Sequence, residues 1–372
     1  MRIVLDARTA TDHFPGIGRY VVNLAQAMVP FLGRGQQLTL LRDPTRPPRW
    51  DLTAMEDEQV QVVDVTASSF SLRQQRVIPR LLRHLGADIY HSPYYLMPYC
   101  PGVPTVLTVY DLIPLLFPRI VSLQARLLFR WTMSLALRTA SRVLAISQTT
   151  RRDLLSHYRL SPQTVTVIPL AADPVFRPAP PAEVERIRRK HALPKDYVLY
   201  LGINKPHKNL VRLIDAFSRI THHAPRITLV IAGAWDSRYP EPRQRVTTLG
   251  LEDVVRFLGP VAEADLPALY SGATLFVFPS EYEGFGLPVL EAMACGSPVA
   301  CSNTSSLPEV AGDAALYFDP ADLGAIASAL NQALIDSRLR LDLQRRGLAR
   351  ASEFSWERTA RETLQVYREI LG

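Results

Sequence analysis

Residues 274–299 of this 372-residue chain read TLFVFPSEYEGFGLPVLEAMACGSPV, and the rest of the sequence can be read outward from them. An apolar run, Thr274–Phe278, ends at Pro279, as a strand does where the next residue has no N–H to donate. A Ser-Glu-Tyr-Glu-Gly-Phe-Gly loop follows, and Pro288 then falls in the first turn of a helix over Gly286–Ala294, where its missing N–H does no harm. A second apolar run, Pro298–Cys301, returns as another strand. The loop glycines let the main chain approach a ligand closely. Free N–H groups at the helix start, at the positive end of its dipole, form a site for phosphate. Glu283 precedes the helix, and Glu291 lies roughly 8 Å further along its axis. That spacing lets Glu291 reach a ribose while phosphates occupy the helix terminus, and leaves Glu283 to hold sugar hydroxyls. Two solvated glutamates on a plain strand–turn–helix are the alternative.

The alternation continues in both directions. The second half holds strands over Tyr197–Gly202, Ile227–Ala232 and Val254–Leu258, with helices over Leu210–His222, Gln244–Leu249, Glu263–Ser271 and Leu323–Asp336. In the first half the strands are Arg2–Leu5, Gln37–Leu41, Val60–Val65, Ile89–Tyr90, Val103–Val109, Arg142–Ile146 and Val165–Ile168. Its helices are Gly18–Met28, Ser71–Leu85, Leu123–Thr139 and Thr149–His157. Between the halves, Ala171–Pro181 carries prolines that neither a helix interior nor a central strand accepts. The expected organisation is an α/β domain over residues 1–170, a proline-rich hinge over 171–190, a second α/β domain over 191–353 and a terminal helix over 354–372. Alternation of this kind predicts two doubly wound parallel sheets facing each other across a cleft. Open sheets of this class bind ligands at the C-terminal ends of their strands.

Composition narrows the function. Hydrophobic residues at 47% against 21% charged exclude a largely disordered chain. The net charge of +7 suits an anionic partner, although an arginine-rich genome explains it equally well. No nucleic-acid recognition motif accompanies the charge, so nucleic acid is not an expected partner. There is no apolar run long enough for a transmembrane helix, and the N-terminus MRIVLDART reads as a strand rather than a signal peptide. Cys100, Cys295 and Cys301 form no metal-like grouping, and so sparse a count fits a reducing compartment; the expected location is cytoplasmic.

Four further segments fall at strand ends. Tyr200–Leu210, YLGINKPHKNL, brings Gly202, His207 and Lys208 to the start of a helix, where a lysine can neutralise a leaving diphosphate. Pro15–Tyr20, PGIGRY, places Gly16 and Gly18 in a tight loop, either simple turn chemistry or amides facing a ligand. His91-Ser-Pro and Thr108-Val-Tyr-Asp-Leu put His91, Tyr110 and Asp111 at strand ends, where Tyr110 and Asp111 either orient a substrate or cap the chain. Ser147 reads as a helix N-cap. Arg73–Arg83 and Arg119–Arg142 mix arginine with large apolar residues. Spacing favours helices packed on their sheet with solvated arginines, and contact with an anionic membrane at the inner face is the second reading.

These segments together resemble the retaining glycosyltransferases with two Rossmann-like domains (the GT-B type), specifically glycosyltransferase family 4. Glu283 and Glu291 match its paired glutamates with seven residues between them, and Glu283-Gly-Phe-Gly-Leu-Pro matches its common loop form. PGIGRY, His91-Ser-Pro and Tyr110-Asp-Leu-Ile-Pro are most similar to mannosyltransferase-type members, and Phe354-Ser-Trp-Glu with its following helix also matches. His207 stands where the family has arginine, and Tyr110 where many members have histidine. The resemblance implies donor contacts from Gly16, Gly18, Gly202, His207, Lys208, Glu283, Gly284, Phe285, Gly286, Leu287 and Glu291. It implies catalytic contributions from Glu283, Lys208, Tyr110 and Asp111, acceptor contacts from His91, Tyr110 and Asp111, and a last helix that crosses back onto the first domain. The implied reaction moves a hexose with retention from a nucleotide-diphosphate sugar, GDP-mannose first and a UDP-sugar second. The acceptor is a glycan or lipid-linked saccharide, and no cofactor or metal takes part. A sugar-nucleotide isomerase or a non-catalytic sugar-nucleotide-binding protein of the same fold is the alternative.

Overall fold

The computed structural model describes residues 1–12, 14–46, 49–221 and 227–372; His222, the last residue of one expected helix, lies outside the described residues. The chain forms two compact units, Met1–Leu170 together with Ser355–Gly372, and Ala171–Phe354.

The first unit runs β1 (Arg2–Asp6), α1 (Pro15–Met28), β2 (Gln37–Arg42), β3 (Val60–Asp64), α2 (Gln74–His84), β4 (Ile89–Ser92), β5 (Thr105–Val109), α3 (Ile113–Leu116), α4 (Leu123–Thr139), β6 (Arg142–Ala145), α5 (Gln148–His157) and β7 (Val165–Val167). The strands form one seven-stranded parallel sheet in the order β3-β2-β1-β4-β5-β6-β7. The order reverses beside β1, where Ile3 pairs with Ile89 and Leu5 with His91. A parallel sheet covered on both faces needs strands apolar on both sides, and β4 and β5 are buried along their whole length. Ser147 caps α5 by accepting the Thr150 N–H, as expected.

The second unit runs α6 (Pro181–Lys190), β8 (Tyr197–Leu201), α7 (Leu210–Ile220), β9 (Thr228–Ala232), α8 (Glu241–Leu249), β10 (Val255–Gly259), α9 (Leu266–Ser271), β11 (Leu275–Phe278), α10 (Leu287–Ala294), β12 (Val299–Ser302), α11 (Leu307–Ala311), β13 (Ala315–Phe318), α12 (Leu323–Ile335) and α13 (Ser337–Ser352). Its parallel sheet has the order β10-β9-β8-β11-β12-β13. The last helix, α14 (Trp356–Leu371), belongs to the first unit and packs on α1.

Three local features differ from the sequence reading. Half of the expected hinge is helix α6: Pro181 takes the N-terminal position its fixed φ suits, Glu183 and three basic residues complement the dipole, and Ile187 is buried. Pro15 starts α1 in the same manner, so Gly16 and Gly18 lie in helix rather than in a tight loop. Strand β13, the short helices α3 and α11, and helix α13 were not anticipated. The strand is only four apolar residues, Ala-Leu-Tyr-Phe, at a sheet edge, too short to show a period, and α13 buries only Leu343 and Gly347 among many charges.

Candidate active site

In the second unit, the loop between β11 and α10 brings the expected groups together. Gly286 is the residue before α10, with φ of 107°. A Cβ there would stand 2.6 Å from a methyl group of the buried Leu307, so only glycine fits this bend without displacement. No side chain caps α10, and its first-turn N–H groups keep the positive end of the dipole at the loop. The loop is held from β12 onward: Ser305 Oγ accepts the Glu283 N–H at 3.0 Å, and Ser306 Oγ donates to the carbonyls of Glu283 (2.9 Å) and Phe285 (2.7 Å). Phe285 is itself buried, edge-on to Phe354.

Lys208 reaches this loop from the turn after β8. Its Nζ donates to Glu283 Oε1 at 2.6 Å, with the two side chains 15% and 10% exposed. The ammonium also lies 5.5 Å from the centre of the Phe278 ring, a cation–π contact. Glu283 and Glu291 are therefore not the solvated pair of the plain alternative. Glu291, one turn into α10, is buried and accepts a hydrogen bond from Tyr270 OH at 3.0 Å.

The turn carrying Lys208 owes its shape to Asn209, which sits in the left-handed region at φ 61°. Asn209 Nδ2 donates to the carbonyls of Pro279 (3.1 Å) and Pro320 (2.8 Å), and Arg212 donates to Asn209 Oδ1 and Glu281. His207 sits in the same turn and its carbonyl accepts the Glu281 N–H. Burial, reinforced by the charges of Lys208 and Lys205, pushes the His207 imidazole down to about 3. The ring is neutral at pH 7, so of these two neighbours Lys208 alone brings a positive charge. Asn209, Tyr270, Ser305 and Ser306 were missed by sequence reasoning. The Lys-Asn pair in YLGINKPHKNL was the one signal that could have singled out Asn209.

Gly202, Gly233 and Gly259 end the neighbouring strands β8, β9 and β10. A Cβ on Gly233 would lie 2.4 Å from the Gly202 carbonyl oxygen, and one on Gly202 would meet the Tyr200 hydroxyl at 2.7 Å. A small pocket beside them is lined by Asn204, Trp235, Arg243 and Phe257. Among the described residues, no three His, Cys, Asp or Glu side chains cluster as metal ligands would.

In the first unit the expected residues have different surroundings. His91 is fully buried; Nδ1 pairs with Tyr367 OH at 2.5 Å and Nε2 with Thr108 Oγ1 at 2.7 Å. Thr108 is in turn 2.9 Å from Tyr20 OH. Both ring nitrogens are engaged, so His91 ties β4 and β5 to α14. Burial pushes its imidazole down to about 3. Tyr110 turns its ring edge-on to Tyr20, with its hydroxyl covered by protein and its phenol pushed well above the ordinary value by burial. Asp111 Oδ1 accepts the Ile113 N–H at 2.9 Å, the capping arrangement weighed above.

The glycines of PGIGRY are also corrected. A Cβ on Gly18 would strike the Trp50 ring at 2.3 Å, so Gly18 makes room for a tryptophan; a Cβ on Gly16 would meet nothing. Sequence reasoning passed over Asp6 and Arg8 at the end of β1. Arg8 Nη2 and Asp6 Oδ2 are 2.5 Å apart in the core, and Tyr90 OH donates to Asp6 at 2.6 Å. Burial opposes the Asp6 charge, yet Arg8 and these bonds hold the carboxyl below its ordinary value.

Two parallel α/β units of these strand orders are the architecture of GT-B glycosyltransferases. Sucrose-phosphate synthase from Thermosynechococcus elongatus shares it, with a TM-score of 0.78 and 23% identity, covering 100% of this chain and 99% of that one. So does HepE of Anabaena in complex with UDP and glucose, with a TM-score of 0.77 and 22% identity, covering 99% of this chain and 100% of that one. Residues 15–176 match Glycosyltransferase Family 4 and residues 183–350 match Glycosyl transferases group 1. The O-antigen chain mannosyltransferase B of Escherichia coli is 35% identical over 384 aligned positions, which cover 99% of this chain and 100% of that protein. The chain belongs to glycosyltransferase family 4 and is a glycosyltransferase.

Proposed function

We propose that this glycosyltransferase transfers mannose from GDP-mannose to a glycan or lipid-linked saccharide, with retention of configuration and without a metal. The observation that carries the reading is the buried Lys208–Glu283 pair beside the α10 N-terminus. A diphosphate entering there meets the Lys208 ammonium and the N–H groups of the first turn, which leaves Glu283 to accept hydrogen bonds from sugar hydroxyls. Glu291, held by Tyr270, takes the ribose hydroxyls. The mannosyl assignment rests on the likeness to the Escherichia coli mannosyltransferase. Asp111, two residues beyond β5, is the acceptor contact in this reading, and Gly202 lets the protein main chain approach the donor.

The bond from the sugar C1 to the β-phosphate oxygen breaks as an acceptor hydroxyl oxygen bonds to C1 from the same face. The proton of that hydroxyl goes to the departing phosphate oxygen, and the charge gathering on the diphosphate is stabilised by Lys208. No enzyme nucleophile takes part.

A thermal-shift screen of GDP-mannose, GDP, UDP-glucose and UDP tests the donor, since a ligand that binds only the folded state raises the midpoint by mass action. Guanine nucleotides are expected to raise it, and a response confined to uracil nucleotides overturns the donor. Product formation with GDP-mannose and a saccharide acceptor, followed by NMR of the new anomeric centre, tests transfer and retention. An inverted product, donor turnover without a new glycoside, or activity abolished by EDTA and restored by a divalent ion contradicts the corresponding part.

A further inference from the structure

Helix α4 is apolar on two opposite sides. Phe129, Met133, Ala136 and Leu137 face the core of the first unit. On the outer side Leu123, Leu127 and Trp131, spaced one turn apart, form a stripe with Leu128, and these four are 62%, 55%, 62% and 58% exposed respectively. A helix on a water-facing surface ordinarily carries polar residues there. The expectation of a packed helix with solvated arginines accounts for the inner side alone.

The charge around the stripe has one sign. Residues 112–152 contain no aspartate or glutamate, while Arg119, Arg126, Arg130 and Arg138 flank or interleave the stripe. Residues 65–87 are also free of acidic groups, and α2 exposes Arg76, Arg80 and Arg83. The two helices lie on one face of the sheet, because the β3-to-β4 and β5-to-β6 crossovers step in the same direction and both are right-handed by rule. The segment between β4 and β5 links them: Gln75 of α2 bonds Met97 O (2.9 Å) and Tyr99 N (2.8 Å), and Thr139 of α4 donates to Tyr99 O (2.9 Å). Several arginines on other helices are paired, as Arg186 is with Glu183 and Arg345 with Asp342. Those of α2 and α4 have no carboxylate partner among the described residues.

We propose that this α2/α4 face docks on an anionic lipid bilayer, with α4 lying in the interface. Leucine and tryptophan would sink to headgroup depth, and the arginines would meet lipid phosphates. A second copy of the chain is a poor occupant, because a two-fold contact through this face sets arginines against arginines. A neutral glycan leaves the charge unanswered.

Sedimentation of the full chain with vesicles tests the inference. Binding is expected to vesicles of about 30% phosphatidylglycerol in phosphatidylcholine, to fall at least tenfold on pure phosphatidylcholine, and to weaken with salt. The Leu127→Glu/Trp131→Glu variant is expected to lose tenfold or more of this binding, with an unchanged melting midpoint and unchanged turnover of a water-soluble acceptor. Arg80→Gln and Arg130→Gln are each expected to weaken binding by about fivefold. Three results overturn the proposal: no pelleting with anionic vesicles, equal binding to both compositions, or wild-type binding by the glutamate variant. A concentration-dependent dimer that the glutamate variant abolishes, with no vesicle binding, overturns it in favour of self-association.

Discussion

Replacing Lys208 by methionine separates what the Lys208–Glu283 pair does for the fold from what it does for the reaction. The two side chains are 2.6 Å apart and 15% and 10% exposed, so removing the ammonium strands a largely buried carboxylate. Breaking such a pair from one side costs about 3 kcal/mol. In a unit spanning Ala171–Phe354 that loss lowers the melting midpoint by roughly 6–12 °C. In Lys208→Met/Glu283→Gln no charge is left unanswered, and most of that loss is expected to return. Turnover behaves differently. In the proposed reaction Lys208 faces the charge that grows on the leaving diphosphate, so kcat of Lys208→Met is expected to fall by about 10²–10³ even at temperatures where the variant is fully folded. The assays are thermal unfolding followed by circular dichroism and initial rates at about 20 °C, well below the midpoint. If folded Lys208→Met keeps kcat within about threefold of the parent, Lys208 is a structural residue and the donor site is wrongly placed. If the double variant is no more stable than the single one, the pair does not hold the loop.

Gly286→Ala should lower stability by about 2 kcal/mol and weaken donor binding, because a side chain at φ of 107° is strained and its Cβ meets the buried Leu307; unfolding midpoints and donor titration report both, and a neutral outcome removes the conformational argument. The unfolded chain binds a proton at a histidine near pH 6.5, whereas buried His91 resists until about 3, so its contribution is full above pH 6.5 and is lost as the pH falls toward 3. His91→Gln should therefore flatten the stability-against-pH slope between pH 6 and 4 by up to about 1.4 kcal/mol per pH unit, leaving the similar component of His207; urea midpoints across that range check it, and an unchanged slope refutes it. Tyr270→Phe removes the hydroxyl that bonds Glu291 and should raise the donor KM about fivefold with kcat held; a fall in kcat at constant KM contradicts the ribose role of Glu291.

The second unit was the more legible half of the sequence. Its loop, its helix start and its two glutamates are contiguous, so glycine, proline and carboxylate spacing carries their geometry without knowledge of distant residues. Lys208 was also readable, since it follows a strand end. In the first unit the reading of single residues went astray where the sequence showed type but not direction. His91 and Tyr110 lie at strand ends as expected, yet their side chains turn inward to Tyr367, Thr108 and Tyr20 from three other elements. Gly18 looked like a ligand loop because nothing local to it announces Trp50.

Local pattern by itself determined the alternation of strand and helix, the proline-marked change near residue 171 and the glycine bend before α10, because each depends on backbone constraints that act within a few residues. Only the folded chain decided that Lys208 and Glu283 form a buried pair, that His207 is neutral, that His91 belongs to the core and that one side of α4 is left uncovered. Those properties follow from desolvation and from partners far away in sequence, and neither exists until the sheets and helices have packed.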